Sequence, residues 1–147
     1  MERKGWDHYA IMWLRLWFGV HLFYSGVRYF VEFQAQPQVP HPIGGPFIDS
    51  LYAMGLFPII KVLEIVVGAG LLANRLVPML LVLEMPVSAM IFYLNTLIVG
   101  TPRQLVSGPL ELGVNIALLL CYFGYFRPML VARAQPAPAW RRGEADV

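Results

Sequence analysis

Seven ionisable side chains (Arg15, Arg28, Glu32, Lys61, Glu64, Glu84 and Glu111) interrupt stretches that otherwise read as membrane-spanning. Each would cost about 2.5–3.5 kcal/mol at a bilayer centre. A plain anchor would use leucine there, so these charges need partners away from lipid. Three are bases and four are acids. That near-balance suits a buried network, because an unpaired charge in low dielectric costs far more than a paired one. The chemistry open to such a network is proton handling or recognition of a polar ligand head. The alternative is a static ion pair that only sets helix register.

Depth ranks the members. At about 1.5 Å per residue, Glu64 lies about 12 Å into its segment and Glu84 about 10 Å into its own. Glu64 cannot reach water and Glu84 is the next deepest, whereas Arg15 and Arg28 lie near segment ends and can snorkel. His21 is nearly central and reads as a hydrogen-bonded interior histidine. His8 and His41 fall outside the spans, so no bis-histidine haem site forms and no buried metal is expected. Cys121 is the only cysteine, which excludes an internal disulfide and a CxxC motif. No Walker loop, dinucleotide glycine fingerprint, HExxH or serine-nucleophile motif is present, so enzymatic activity is left open.

Helical spacing collects the polar residues into stripes. Lys61, Glu64, Gly68 and Leu71 share one face; Glu84, Ser88, Ile91 and Asn95 share another; Glu111, Asn115, Leu118 and Tyr122 a third. The first segment has two polar faces, His21–Tyr24–Ser25–Arg28–Glu32 and Arg15–Phe18–Gly19–Leu22–Gly26. Two polar faces place that helix at the centre of a bundle or against a cavity. The candidate site is therefore Arg15, His21, Arg28, Lys61, Glu64, Glu84, Asn95, Glu111 and Asn115.

The elements that must position them are transmembrane helices. The 147 residues are 58% hydrophobic and 14% charged, against about 25% charged in a soluble domain. About 20 residues cross a hydrocarbon core. Four segments qualify: 11–33, 56–74, 77–99 and 109–126. Pro58, Pro78 and Pro109 fall in the first turns of the last three, where a missing N–H costs nothing. Pro86 should kink the third. The first apolar run, about 23 residues, exceeds the 7–15 of a cleavable signal and reads as a retained span. Asn74-Arg75 makes a tight antiparallel link.

The connection 34–55 differs from the other links. Its first half is rich in Pro and Gly and is not regular structure, while Phe47–Tyr52 reads as a short helix at the interface or over the bundle mouth. Loops of this length are often functional. Arginine and lysine placement orients the chain. Arg3, Lys4, Arg75, Arg127, Arg133, Arg141 and Arg142 fall on one side, with Arg103 alone opposite. The expected fold is thus an all-α polytopic membrane four-helix bundle with both termini in the cytoplasm. Residues 1–10 precede the membrane domain (11–126), and 127–147 form a disordered cytoplasmic tail. Trp6, Tyr9, Trp13 and Trp17, with Tyr122, Phe123, Tyr125 and Phe126, form an inner aromatic belt. A formal charge of +2 without interleaved basic and aromatic residues argues against nucleic acid.

Arg15-Leu-Trp-Phe-Gly19, followed by Gly26, resembles the opening helix of the DoxX family of small bacterial four-helix membrane proteins. Gly55-Leu56, then Glu64 with Gly68, Gly70, Leu71 and Leu72, resembles its second helix. The likeness spans residues 11–126. Arg15 and Glu64 are the family-like positions, Arg28 stands where lysine is more usual, and the 34–55 connection is longer than the family's. The resemblance implies a bacterial cytoplasmic-membrane location. It also implies an accessory role with a soluble or membrane oxidoreductase as partner, and a quinone link; a homo-oligomer is expected only for a transporter, since four helices make a small vestibule. A scaffold and a proton-coupled small-solute transporter are the other two expectations.

Overall fold

A computed structural model describes residues 5–32, 39–130 and 132. Among them the chain is all-helical, without strands. Helix α1 spans Trp6–Val31, α2 Gly44–Ala53, α3 Leu56–Leu72, α4 Val77–Phe92 and α5 Gln104–Cys121. Tyr93–Val99 continues α4 as a π-helix, and two short 3-10 turns follow α5 at Phe123–Tyr125 and Arg127–Met129. The expected tail lies largely outside the described residues, as do residues 34–38 of the 34–55 connection and Arg3, Lys4, Arg133, Arg141 and Arg142.

Among the described residues two helices are long and apolar enough to cross a membrane: Val77–Val99 and Gln104–Cys121. A third counts if α2 and α3, bent by 87° at their junction, make one broken span. Four independent spans were expected. Helix α1 is long enough at 26 residues, but its charges and its row of Trp, Tyr and His lower its apolar character. Helix α3 alone is 17 residues, about one turn short of the roughly 20 that span a bilayer.

Several boundaries move for identifiable reasons. Helix α5 begins at Gln104, with Thr101 Oγ1 donating to Gln104 Oε1 at 2.6 Å before it. Pro109 is consequently inside the helix instead of in its first turn. Helix α2 begins at Gly44, so Gly44, Gly45 and Pro46 are helical where irregular structure was expected. The His41 imidazole accepts from the Ile43 and Gly44 N–H groups at 3.2 and 3.1 Å, satisfying donors that a helix start leaves open. Gly55, at φ +71°, supplies the left-handed residue that turns α2 sharply into α3.

Helix α1 packs chiefly along α3, and α4 along α5. The α1–α3 approach rests on glycine: a Cβ on Gly68 would lie 2.5 Å from Phe23 N and 2.8 Å from Gly19 O. One apolar cluster, including Phe18, Leu22, Val67, Leu71, Leu81 and Leu118, fills the end near the Asn74–Leu76 hairpin. A second, built on Ile48, Leu51 and Phe57, ties α2 to the opposite end. There Tyr52 stacks on Phe57 at 4.6 Å. The buried polar residues lie between these two clusters.

Candidate functional site

The stripes expected on α3, α4 and α5 turn inward. Glu64, Glu84, Ser88, Glu111 and Asn115 are all buried. Lys61 Nζ donates to both Glu64 carboxylate oxygens, at 2.7 and 2.8 Å, and to Ser25 Oγ of α1 at 3.0 Å. This bidentate pair sits one helical turn apart on α3, and the lysine also lies 5.4 Å from the Phe57 ring centroid. Asn115 Nδ2 donates to Ser88 Oγ at 3.1 Å, joining α5 to α4. Glu84 is 0% exposed, and neither of its carboxylate oxygens has a hydrogen-bond partner. It lies within electrostatic range of Glu64, Glu111 and Lys61.

His21 joins the cluster from the outside. Its Nε2 is 3.1 Å from Glu111 Oε2, and its ring stacks on Trp17 with 5° between planes. Its side chain is 47% exposed, so the interior histidine expected from sequence is instead a surface one backed by a buried acid.

The remaining charges do not join the network. Arg28 and Glu32 pair at 2.8 Å on the exposed face of α1. Arg15 donates to Asn74 Oδ1 at the far hairpin. One face of α1, with Phe18, Gly19, Leu22 and Gly26, is buried against α3, while the His21–Tyr24–Arg28 face points outward. A helix with two polar faces was expected at the centre or against a cavity, and no residue of α1 lines the cavity described below. The helix is peripheral because the glycines on its Arg15 face admit α3 so closely that this face takes most of the packing, with His21 and Ser25 alone reaching inward from the other.

Above the Lys61–Glu64 pair opens a cavity of about 450 Å³. Lys61 and Glu64 line it from α3, and Val87, Met90, Ile91 and Leu94 from the α4 rod. Val39, Pro40, His41, Ile48 and Leu51 cover it, and Thr101, Arg103 and Gln104 line it beside the 100–103 turn. Asn95 also lines the wall and donates to Ser107 Oγ at 3.3 Å. The lid and Arg103 were not among the candidate site residues, and of the π-helix only Asn95 was. The long 34–55 connection was the one sequence signal that pointed to a cover.

The volume falls within the range of small-molecule sites, and so does the pattern of apolar walls with a few polar groups. Among the described residues no group of three or more His, Cys, Asp or Glu is placed to hold a metal ion. Cys121, at the end of α5, is exposed. Comparison of the chain with protein-family models, with curated proteins and with solved structures finds no match.

Proposed function

We propose that this chain is a DoxX-like integral protein of the bacterial cytoplasmic membrane, an accessory subunit that receives a quinone headgroup in its cavity. The observation that carries the reading is the Lys61–Glu64 pair lining an otherwise largely apolar cavity of about 450 Å³. The residues fit a quinone in two respects. Aliphatic and aromatic walls suit a ring and tail; Asn95 and Ser107 offer hydrogen-bond donors for carbonyl oxygens, and Lys61 would exchange its bond to Ser25 or one to Glu64 for a third. A bound quinone supplies two-electron, two-proton redox chemistry. In this reading Lys61 orients the headgroup and passes it a proton, with Glu64 as its counter-ion. Electrons come from a partner oxidoreductase.

The same reading places α1, α3, the α4 rod and α5 as a four-helix bundle with both termini cytoplasmic. Arg75 and Arg127 then lie inside and Arg103 outside, in keeping with the bias of positive charge. The cavity faces outward, and the apolar cluster around Phe18, Leu71 and Leu118 fills the inner half. That packed half gives a transporter little support. A scaffold role has one observation in its favour, the exposed Arg28–Glu32 pair on α1, which a neighbouring protein would cover.

The test is purification in mild detergent with cofactor analysis, followed by turnover of the assembled complex. Retained quinone, with electron transfer abolished by Glu64→Gln, is expected. Normal turnover by that variant would remove the proposed role of Glu64.

A further inference from the structure

Charge pairing in the cluster leaves one carboxylate over. Glu64 is held by Lys61 and Glu111 by His21. Glu84 has no hydrogen-bond partner on either oxygen, though it is 0% exposed. A second orphan lies near it. Ser88 is four residues on, on the same face of α4, and Asn115 reaches Ser88 from α5 at 3.1 Å. Asn115 is also 0% exposed, and its Oδ1 has no partner.

Buried oxygens without donors are costly, and native proteins pair nearly all of them. What both orphans lack is a positive or hydrogen-bonding centre, because each is an acceptor. One carboxylate with two neutral oxygens, from Ser88 and Asn115, is a hard donor set of single negative charge. A divalent ion would leave a charge uncompensated there. A monovalent cation would match the single charge of Glu84, as Lys61 matches that of Glu64.

We infer that Glu84, Ser88 and Asn115 form a binding site for a single alkali cation, of the size of sodium, beneath the cavity. Val87, one turn from Glu84, and Glu64 both line the cavity, so the site lies next to a route from outside. The inference needs no quinone, and its test does not read electron transfer.

The full chain in detergent is compared in sodium, potassium and choline chloride at equal ionic strength. A saturable rise in Tm of several degrees is expected with sodium over choline, because a ligand bound only by the folded state stabilises it. In parallel, dicyclohexylcarbodiimide, which attacks protonated buried carboxyls, labels the Glu84 peptide. Sodium should slow that labelling at least tenfold. Glu84→Gln should abolish the sodium response of Tm, and Asn115→Leu should shift its midpoint at least tenfold higher. Equal Tm in all three salts, with labelling indifferent to sodium, would mean that Glu84 carries only a proton and would overturn the inference. So would a sodium response that survives Glu84→Gln. The labelling experiment uses the unaltered protein, so misfolding of a variant leaves it decisive.

Discussion

Lys61 and Glu64 are the residues on which the cavity reading turns, and both are largely buried, at 15% and 3% side-chain exposure. Removing one partner of such a pair leaves a charge without compensation, at a cost of about 3–5 kcal/mol. Replacing both by neutral residues of similar shape costs far less. Glu64→Gln should therefore destabilise the protein by that order, and Lys61→Met/Glu64→Gln should regain most of the loss while still failing to retain ligand. Denaturant titration in detergent, read beside ligand retention, separates the two effects. If the double variant bound ligand normally, the pair would be a helix-register device and nothing more. The pairing itself was legible in the chain, since the two residues are one turn apart on one face. Ser25 as the third partner was not, because it comes from another helix, 36 positions away.

At the scale of elements, the α1–α3 contact is the tightest seam, and glycine sets its distance. Gly68→Ala would drive a methyl into the Phe23 and Gly19 backbones, which cannot move aside as a flexible side chain does. Overpacking of this kind costs about 1–3 kcal/mol. Gly113 on α5 is the control, since nothing lies within 4 Å of where its Cβ would stand. Gly113→Ala should be neutral or stabilising by up to about 1 kcal/mol, from helix propensity. Thermal unfolding of the two variants side by side checks the pair, and equal effects would deny the seam its role. The π-helix Tyr93–Val99 closes with the Gly100 N–H donating to Asn95 O at 2.9 Å, five residues back. Its wide turn presents Asn95 at the cavity wall, in keeping with the frequent occurrence of π-turns at functional sites.

For the whole molecule the decisive measurement is topology. In a Cys121→Ser background, a membrane-impermeant maleimide should label Arg103→Cys in intact cells. Arg75→Cys and Gly5→Cys should react only after permeabilisation. Labelling of Gly5→Cys from outside would show that α1 does not cross with the others, and the four-helix arrangement with cytoplasmic termini would fall. The length of α1, 26 residues, is compatible with crossing. Its outward face of His21, Tyr24, Arg28 and Glu32 would then meet either lipid or a neighbouring protein.

Periodicity in the chain determined which faces of α3, α4 and α5 turn inward, because side chains three and four apart must share a face whatever surrounds them. Gly55 before α3 and the Asn74-Arg75 pair marked the two closest joins. Tertiary structure alone decided which stripe meets which. Glu84 ended without a hydrogen-bond partner, His21 paired with a residue 90 positions away, and Arg28 with Glu32 stayed outside. It also decided that residues 39–51 fold back as a cover. Helical geometry fixes the direction of a side chain relative to its own axis, but the neighbour in that direction depends on how closely whole helices pack, which no local pattern encodes.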